Sequence, residues 1–226
     1  MGSFLHIWQA DLASPSPSWE PAEASLGPAE MARQARLHVP AQRQAYGRAH
    51  AFMRAVLSLY TELPPNALAF ALTYKGKPYL LGSDLHVNLS YRGERALLAI
   101  SNAGPVGADV EQLRLLPDTE ALIKELFSET EQLGLQVAPP AAYWPFFYTI
   151  WTRKEAYAKA LGMGLAVPFA GFSVLAPGPG GQPLLTAPAG AQLTSFAVGV
   201  GHQGAVALLA EGSPLTPQHF RYPIDL

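Results

Sequence analysis

Helical and β-forming segments follow each other in the same order in both halves of the chain, and this order is the strongest constraint on its fold. In the first half, apolar residues between positions 42 and 60 recur at steps of three and four, a spacing that indicates a helix with one apolar face. Short β-forming segments follow at 68–74 and 84–89. In the second half, helical segments at 118–133 and 142–161 precede β-forming segments at 169–175, 193–199 and 205–210. Each half is therefore predicted to have an early helix followed by strands.

The turn Asn-Ala-Gly-Pro at residues 102–105 lies near the midpoint of the chain. It joins two further β-forming segments, 96–101 and 106–111. We therefore expect two domains, residues 1–103 and residues 104–226. No residue-level repeat of fixed period connects the halves, so the expectation of two similar lobes rests on the order of the elements.

Composition excludes several classes of protein. None of the 226 residues is cysteine, which excludes disulfides, cysteine-ligated metal centres and cysteine nucleophiles. The 15 basic and 17 acidic side chains argue against a basic nucleic-acid-binding protein. No segment resembles an export signal or approaches the ~18–20 apolar residues of a membrane-spanning helix. These observations predict a cytoplasmic protein with neither nucleic acid nor membrane as its partner.

Positive charge is concentrated in one part of the first half. Residues 1–103 hold nine basic and seven acidic side chains, and residues 104–226 hold six and ten. Between residues 30 and 62 there is no acid but there are five arginines, which we call the arginine strip: Arg33, Arg36, Arg43, Arg48 and Arg54. The strip is either a solvated helix face or a binding site for an anion.

A pair of carboxylates is predicted at residues 107–111, G-A-D-V-E. Side chains two positions apart on a strand point to the same side, so Asp109 and Glu111 project together while Ala108 and Val110 face the core. Two neighbouring carboxylates repel each other unless a cation lies between them, and hard divalent cations prefer such oxygen ligands. The alternative is an ordinary exposed strand end.

Two further motifs carry groups that could act in chemistry. In W-x-x-K-E-x-x-x-K, Trp151, Glu155 and Lys159 are spaced by four residues, so they share one helix face, either as a plain surface ion pair or as a reactive group. The segments Gly76-Lys77-Pro78 and Asn88-Leu89-Ser90 place a cation on a turn and a hydroxyl at a strand end; each on its own is compatible with simple turn chemistry.

In this order, the motifs resemble those of the 4′-phosphopantetheinyl transferases of the surfactin-synthetase-activating type. The resemblance extends from about residue 36 to residue 174 and weakly to 210. It implies a monomeric pseudodimer of two similar α+β lobes that hold coenzyme A at their junction. The first lobe would bind the 3′-phosphate, and the second would hold the metal and carry out catalysis.

The resemblance also implies a reaction and roles for individual residues. Phosphopantetheine would pass from the substrate coenzyme A to a serine of an apo acyl carrier protein, or of a carrier domain in polyketide or nonribosomal peptide synthases, with release of adenosine 3′,5′-bisphosphate. Mg²⁺, or Mn²⁺ in its place, would be held by Asp109, Glu111 and Glu155. Glu155 would assist deprotonation of the serine, and Lys159 would pair with the pyrophosphate. The remaining coenzyme A contacts would come from the arginine strip and the two short motifs: Arg36, Arg43, Arg48, Lys77, Pro78, Ser90 and Tyr91.

Two positions depart from the family pattern. Tyr91 replaces a histidine, and Ala45 stands where a phosphate-binding arginine is usual. They motivate an alternative hypothesis, a degenerate homologue that binds coenzyme A or a carrier protein with little catalysis. A further alternative is a phosphodiesterase that uses Asp109 and Glu111. For the carrier contact, the segment Leu113-Arg114-Leu115-Leu116 is the sequence-based prediction.

Overall fold

The computed structural model describes residues 2–14, 19–179 and 182–223. Within these ranges the chain forms eleven strands and six α-helices. The strands are β1 (Leu5–Asp11), β2 (Phe70–Leu72), β3 (Pro78–Leu80), β4 (His86–Arg92), β5 (Arg95–Ser101), β6 (Val106–Gln112), β7 (Leu175–Pro177), β8 (Pro183–Leu185), β9 (Ala191–Ala197), β10 (His202–Leu209) and β11 (Gln218–Tyr222). The helices are α1 (Trp19–Glu23), α2 (Pro28–Ala35), α3 (Pro40–Leu57), α4 (Thr119–Leu126), α5 (Glu129–Gln136) and α6 (Tyr143–Leu161).

Two main sheets organise the molecule. The first has the order β11-β1-β5-β4, with β11 parallel to β1 and the other pairs antiparallel. The second is antiparallel, in the order β6-β10-β9. We call the first sheet with α1–α3 and the hairpin β2–β3 the first lobe, and the second sheet with α4–α6 the second lobe. The predicted boundary at 103/104 falls between β5 and β6, where the chain passes from one sheet to the other.

The sheets pack against each other, and a helix covers the outer face of each. On the first sheet, Trp8, Leu98 and Ile100 pack against α3 through a buried apolar cluster, while residues of the opposite face such as Leu97 and Ala99 pack against the second sheet. Alternate residues of a strand point to opposite faces, so β5 can be apolar on both sides. The result is a layered order of α3, first sheet, second sheet and α6, which confirms the predicted α+β class.

The structure differs from the sequence prediction at several elements. The helix predicted at 118–133 is two helices, because Ser128 and Glu131 form a capping box that begins α5. In place of the strand predicted at 169–175 there is a 3₁₀ turn, Phe169–Gly171, then an irregular segment, 172–174, before the short β7. The strand β11, which the sequence analysis did not predict, returns from the second half of the chain to pair with β1. None of the helices within the described ranges has the length and hydrophobicity that crossing a bilayer requires.

Candidate active site

The Asn88-Leu89-Ser90 motif joins the two sheets. Asn88 lies on β4, and its Oδ1 accepts a hydrogen bond from the backbone N–H of Ala108 on β6 (2.7 Å). Two residues on, Ser90 Oγ accepts from the backbone N–H of Val110 (3.3 Å). Side chains at alternate positions of β4 therefore accept hydrogen bonds from alternate backbone amides of β6. This pairing brings Ser90 next to Asp109 of the G-A-D-V-E motif.

Asp109 lies at the centre of this junction and is only 4% exposed. Its Oδ1 accepts hydrogen bonds from Lys159 Nζ (2.5 Å) and Ser90 Oγ (3.3 Å). The Lys159 ammonium also lies 3.4 Å from Ser90 Oγ. Three residues predicted separately from the sequence thus form one cluster, with Ser90 from the first lobe and the other two from the second.

Gly107 explains why α6 lies close enough to supply Lys159. A Cβ on Gly107 would lie 2.0 Å from the backbone oxygen of Ala156 and 2.4 Å from the nitrogen of Ala160. The helix therefore rests directly on the backbone of β6, a contact that only glycine permits. Because side chains four apart share a helix face, this packing presents Glu155 and Lys159 to the strand that carries Asp109 and Glu111.

Burial and the charge of Asp109 raise the pKa of both Glu155 and Glu111. Burial is the largest cause of the raised pKa of Glu155, followed by the charge of Asp109, with a smaller contribution from Glu111 and an opposing one from Lys159. Burial, then the charge of Asp109, likewise raises the pKa of Glu111, against the effect of Arg92, whose Nε lies 3.2 Å from Glu111 Oε2. The site therefore favours any cation that neutralises these groups.

A hard divalent cation fits this donor set. Asp109 Oδ2 is buried and has no hydrogen-bond partner within the described residues, and the neighbouring carboxylates supply further oxygen ligands. Within the described ranges, no group of three or more Asp, Glu or His side chains is arranged so that it could hold a metal ion. Asp109 Oδ1 faces Lys159, and Glu111 Oε2 faces Arg92. Binding a cation would require these ion pairs to rearrange.

The arginine strip does not act as one unit. Arg48 donates to the backbone oxygen of Leu12 (2.5 Å), pairs with Glu23 (3.5 Å) and lies over the ring of Trp19. Arg54 is buried against Glu30 (2.7 Å). These two arginines make internal contacts. Arg43 is exposed, but its Nε also donates to the backbone oxygen of Leu37 (3.0 Å). Arg33 and Arg36 are exposed.

Arg33 lies close to the tyrosine that departs from the family pattern, and the sequence analysis gave it no individual role. Its positive charge acts on the phenols of both Tyr46 and Tyr91, although burial dominates and raises the pKa of Tyr46 to about 12. The two tyrosine rings meet edge to face with centroids 6.4 Å apart. The sequence signal for Arg33 was its membership of the strip, which does not distinguish it from the arginines that fold inward.

Two clefts flank the junction between the lobes. One of roughly 830 Å³ has walls that include Ala45, Tyr91, Arg92, Gln112, Arg114 and His202. The other, of roughly 270 Å³, lies between the β2–β3 hairpin and the end of α6, beside Pro78 and His86. The Lys77 ammonium does not point freely into either cleft. It donates to the backbone oxygens of Val106 (2.8 Å) and Ala160 (3.2 Å), and burial lowers its pKa to about 8.

The segment predicted to contact a carrier protein is partly exposed. Leu115 is 76% exposed and Arg114 is exposed as well. Leu113 and Leu116 pack against the apolar cluster of α4, α5 and α6. The segment therefore presents one apolar and one basic side chain next to the strand that bears Asp109 and Glu111.

Comparison with known proteins identifies the family. The family model of the 4′-phosphopantetheinyl transferase superfamily matches residues 105–207. The 4′-phosphopantetheinyl transferase HetI of Nostoc sp. is 32% identical over 72% of this chain and 70% of its own length. A 4′-phosphopantetheinyl transferase of Bacillus subtilis is 35% identical over 50% of this chain and 49% of its own length, and Sfp of Bacillus subtilis strain 168 is 31% identical over 54% of each. The two Bacillus matches thus cover about half of those relatives.

The chain belongs to the 4′-phosphopantetheinyl transferase superfamily. The resemblance inferred from the motifs is confirmed, and with it the assignment to this class of enzymes. The family match covers β6, α6 and β10 and so includes Asp109, Glu111, Glu155 and Lys159. The roles of these residues remain predictions.

Proposed function

We propose that this protein transfers 4′-phosphopantetheine from coenzyme A to a serine hydroxyl of an apo carrier protein, with Mg²⁺ as the required cation and adenosine 3′,5′-bisphosphate as the second product. The observation that supports this most directly is the cluster of Ser90, Asp109 and Lys159 at the junction of the lobes, with Glu155 on the same helix as the lysine. In this cluster, a lysine ammonium lies beside a carboxylate of the kind that a hard metal prefers, which supports the proposal.

In the proposed site, Asp109, Glu111 and Glu155 would hold the metal. Mg²⁺, or Mn²⁺ in its place, would neutralise charge that builds up on the pyrophosphate oxygens during phosphoryl transfer. The buried and unpartnered Asp109 Oδ2 supports this assignment, because an ionised carboxylate oxygen is costly to bury without a partner.

The side chains of the site carry the remaining steps. The serine oxygen of the carrier attacks the β-phosphorus, the one bonded to the pantetheine oxygen; a new P–O bond forms, and the bond from this phosphorus to the bridging oxygen breaks. Glu155 accepts the serine proton, directly or through water. Lys159 donates to the leaving bisphosphate and stabilises its negative charge.

The adenosine phosphates would lie against the exposed cations of the first lobe. Arg33 and Arg36 are exposed and can turn toward an anion. Arg43 is exposed too, but it would first have to release its hydrogen bond to the Leu37 oxygen. Tyr91 can donate one hydrogen bond. Arg48 and Lys77 keep their internal contacts. Fewer cations are therefore available for coenzyme A than the sequence predicted, which supports the alternative of a protein that binds weakly and turns over slowly.

A transfer assay across a small panel of apo carrier proteins tests the proposal. The purified chain, Mg²⁺ and coenzyme A are incubated with each carrier, and the gain of the phosphopantetheine group is read by mass spectrometry. We expect transfer to be lost in Asp109→Asn and in Glu155→Gln. It should be kept in Glu211→Gln, which changes an exposed glutamate. Coenzyme A binding without transfer to any carrier would favour the degenerate homologue, and metal-dependent phosphodiester hydrolysis without a carrier would favour the phosphodiesterase.

The proposal extends to partners and cellular setting. The carrier is an acyl carrier protein or a carrier domain of a polyketide or nonribosomal peptide synthase, which meets the exposed Leu115 and Arg114. The enzyme acts in the cytoplasm as a monomer. Gel filtration of the active protein, with and without a carrier, tests the oligomeric state.

A further inference from the structure

Lys77 crosses from the first lobe to the second. It ends the turn of the β2–β3 hairpin, where Gly76 has a positive φ of 85°. The backbone of Lys77 is held on both sides, because its N–H donates to Thr73 Oγ1 (3.0 Å) and its carbonyl oxygen accepts from the N–H of Thr73 (2.9 Å). From this fixed start, the side chain reaches the backbone oxygens of Val106 on β6 and Ala160 on α6.

Ala160 belongs to the last turn of α6. Carbonyl groups at the C-terminus of a helix have no partner within the helix and carry partial negative charge. The oxygen of Lys159 accepts from the N–H of Gly162, which ends the helix with a φ of 64°. The oxygen of Ala160 accepts from the Lys77 ammonium instead. A cation of one lobe therefore caps the catalytic helix of the other.

Two glycines make this contact possible. Gly107 lets the last turns of α6 lie directly on β6, next to Val106. Gly162 leaves room for the stem of Lys77, since a Cβ at this position would lie 3.2 Å from Lys77 Cδ. The last turn of α6 is thus held by β6 on one side and by Lys77 on the other.

We propose that Lys77 is a positioning residue, which ties the first lobe to the C-terminal turn of α6 and so holds Lys159 in line with Asp109 and Ser90. Lys159 directly precedes Ala160, so any shift of that turn moves its ammonium. Displacement of a catalytic group by about 1 Å can cost on the order of 100-fold in rate. This role differs from direct binding of a phosphate, which would place the Lys77 ammonium on the ligand.

The inference rests on the proposed transferase activity, and a first measurement does not need that activity. Lys77→Met keeps the length and apolar stem of the side chain but removes the ammonium, and Lys77→Arg keeps a cationic donor. Lys75→Met is the matched control: it removes the same charge from an exposed side chain of the same hairpin. Amide hydrogen exchange of peptides covering residues 155–162 then reports the stability of the last turn of α6.

We expect exchange in 155–162 to be about tenfold faster in Lys77→Met and close to wild type in Lys77→Arg and Lys75→Met. Unchanged exchange in Lys77→Met would overturn the proposal, whether or not the wild type transfers phosphopantetheine. If Lys77→Met does not fold, Lys77→Gln replaces it, because its amide is neutral and its side chain is shorter than that of lysine. Exchange and kcat both equal to wild type in that variant would also overturn the proposal.

Kinetics separate positioning from binding. For an active wild type, Lys77→Met should lower kcat about tenfold or more while KM for coenzyme A changes by less than about twofold, with kcat recovered in Lys77→Arg and retained in Lys75→Met. An unchanged kcat with a raised KM would show that Lys77 binds the ligand and would contradict the proposal. Absence of transfer in the wild type would count against the proposed function alone and leave the exchange measurement to decide the role of Lys77.

Discussion

Replacing Lys154 with methionine should destabilise the protein more than most single substitutions. The Lys154 side chain is completely buried on α6, and its ammonium donates to Glu131 Oε2 on α5 (2.7 Å) and to the backbone oxygen of Phe172 (2.7 Å). Glu131 is equally buried and also accepts from the backbone N–H groups of Ser128 (2.8 Å) and Val174 (2.7 Å). The substitution leaves this carboxylate without a counter-charge.

The cost can be worked out from this arrangement. Removing one partner of a buried ion pair costs about 3–5 kcal/mol, because the remaining charge stays buried and uncompensated. For a chain of 226 residues, each kcal/mol lowers Tm by about 2–4 °C, so we expect a loss of roughly 6–20 °C. Adding Glu131→Gln removes the stranded charge while its amide oxygen still accepts from Val174. The double variant should therefore be more stable than Lys154→Met by about 2 kcal/mol.

Urea unfolding followed by circular dichroism measures all the free energies. Lys124→Met and Glu129→Gln, both exposed on neighbouring helices, are the charge-matched controls and should change stability by no more than about 0.5–1 kcal/mol. A loss below about 1 kcal/mol in Lys154→Met would refute the reasoning. So would a double variant in which the two single losses simply add.

Three further predictions concern the site. Glu155→Gln should abolish transfer and raise the Tm of the metal-free protein by about 1–3 °C. Folding raises the pKa of Glu155, so its ionised form destabilises the folded protein at neutral pH, and glutamine removes that charge; a lower Tm in EDTA would contradict this. Gly107→Ala should lower the free energy of unfolding in urea by about 3 kcal/mol or more, because its Cβ would overlap the backbone of α6. The control Gly171→Ala, whose Cβ meets only ordinary contacts, should lower it by less than about 1 kcal/mol. Arg33→Met should weaken coenzyme A binding about tenfold, measured by calorimetry, with little effect on Tm. Arg48→Met should lower Tm with little effect on binding, and the reverse pattern would show that the two arginines have been assigned incorrectly.

Local patterns in the sequence predicted the elements that carry the candidate site residues. The three- and four-residue spacing between 42 and 60 corresponds to α3, and the alternation at 107–111 places Ala108 and Val110 in the core between the sheets with Asp109 on the other face. The four-residue spacing of Glu155 and Lys159 places both on one face of α6. Each of these properties depends on neighbours along the chain, which is why the order of motifs was sufficient to indicate the family.

The tertiary structure decided which charged side chains are available to a ligand. Arg48 and Arg33 belong to the same strip, yet one folds inward onto Trp19 and Glu23 while the other stays exposed near Tyr91. Lys77 likewise contacts carbonyl groups 29 and 83 residues further along the chain. A lysine or arginine side chain binds the oxygen atoms that the fold places next to it. When those atoms belong to residues far along the chain, no periodic pattern in the sequence indicates the contact.

The distance along the chain between contacting residues also explains which features of the architecture could be predicted from the sequence and which could not. Most of the helices and strands, and the carboxylates and lysine of the candidate site, could be predicted from the sequence, because strand and helix periodicity act over a few residues. Long-range packing brings β11 back to pair with β1, stacks the two sheets face to face and rests α6 on Gly107. These contacts join residues far apart along the chain, and they form only when the apolar faces of both sheets are buried together.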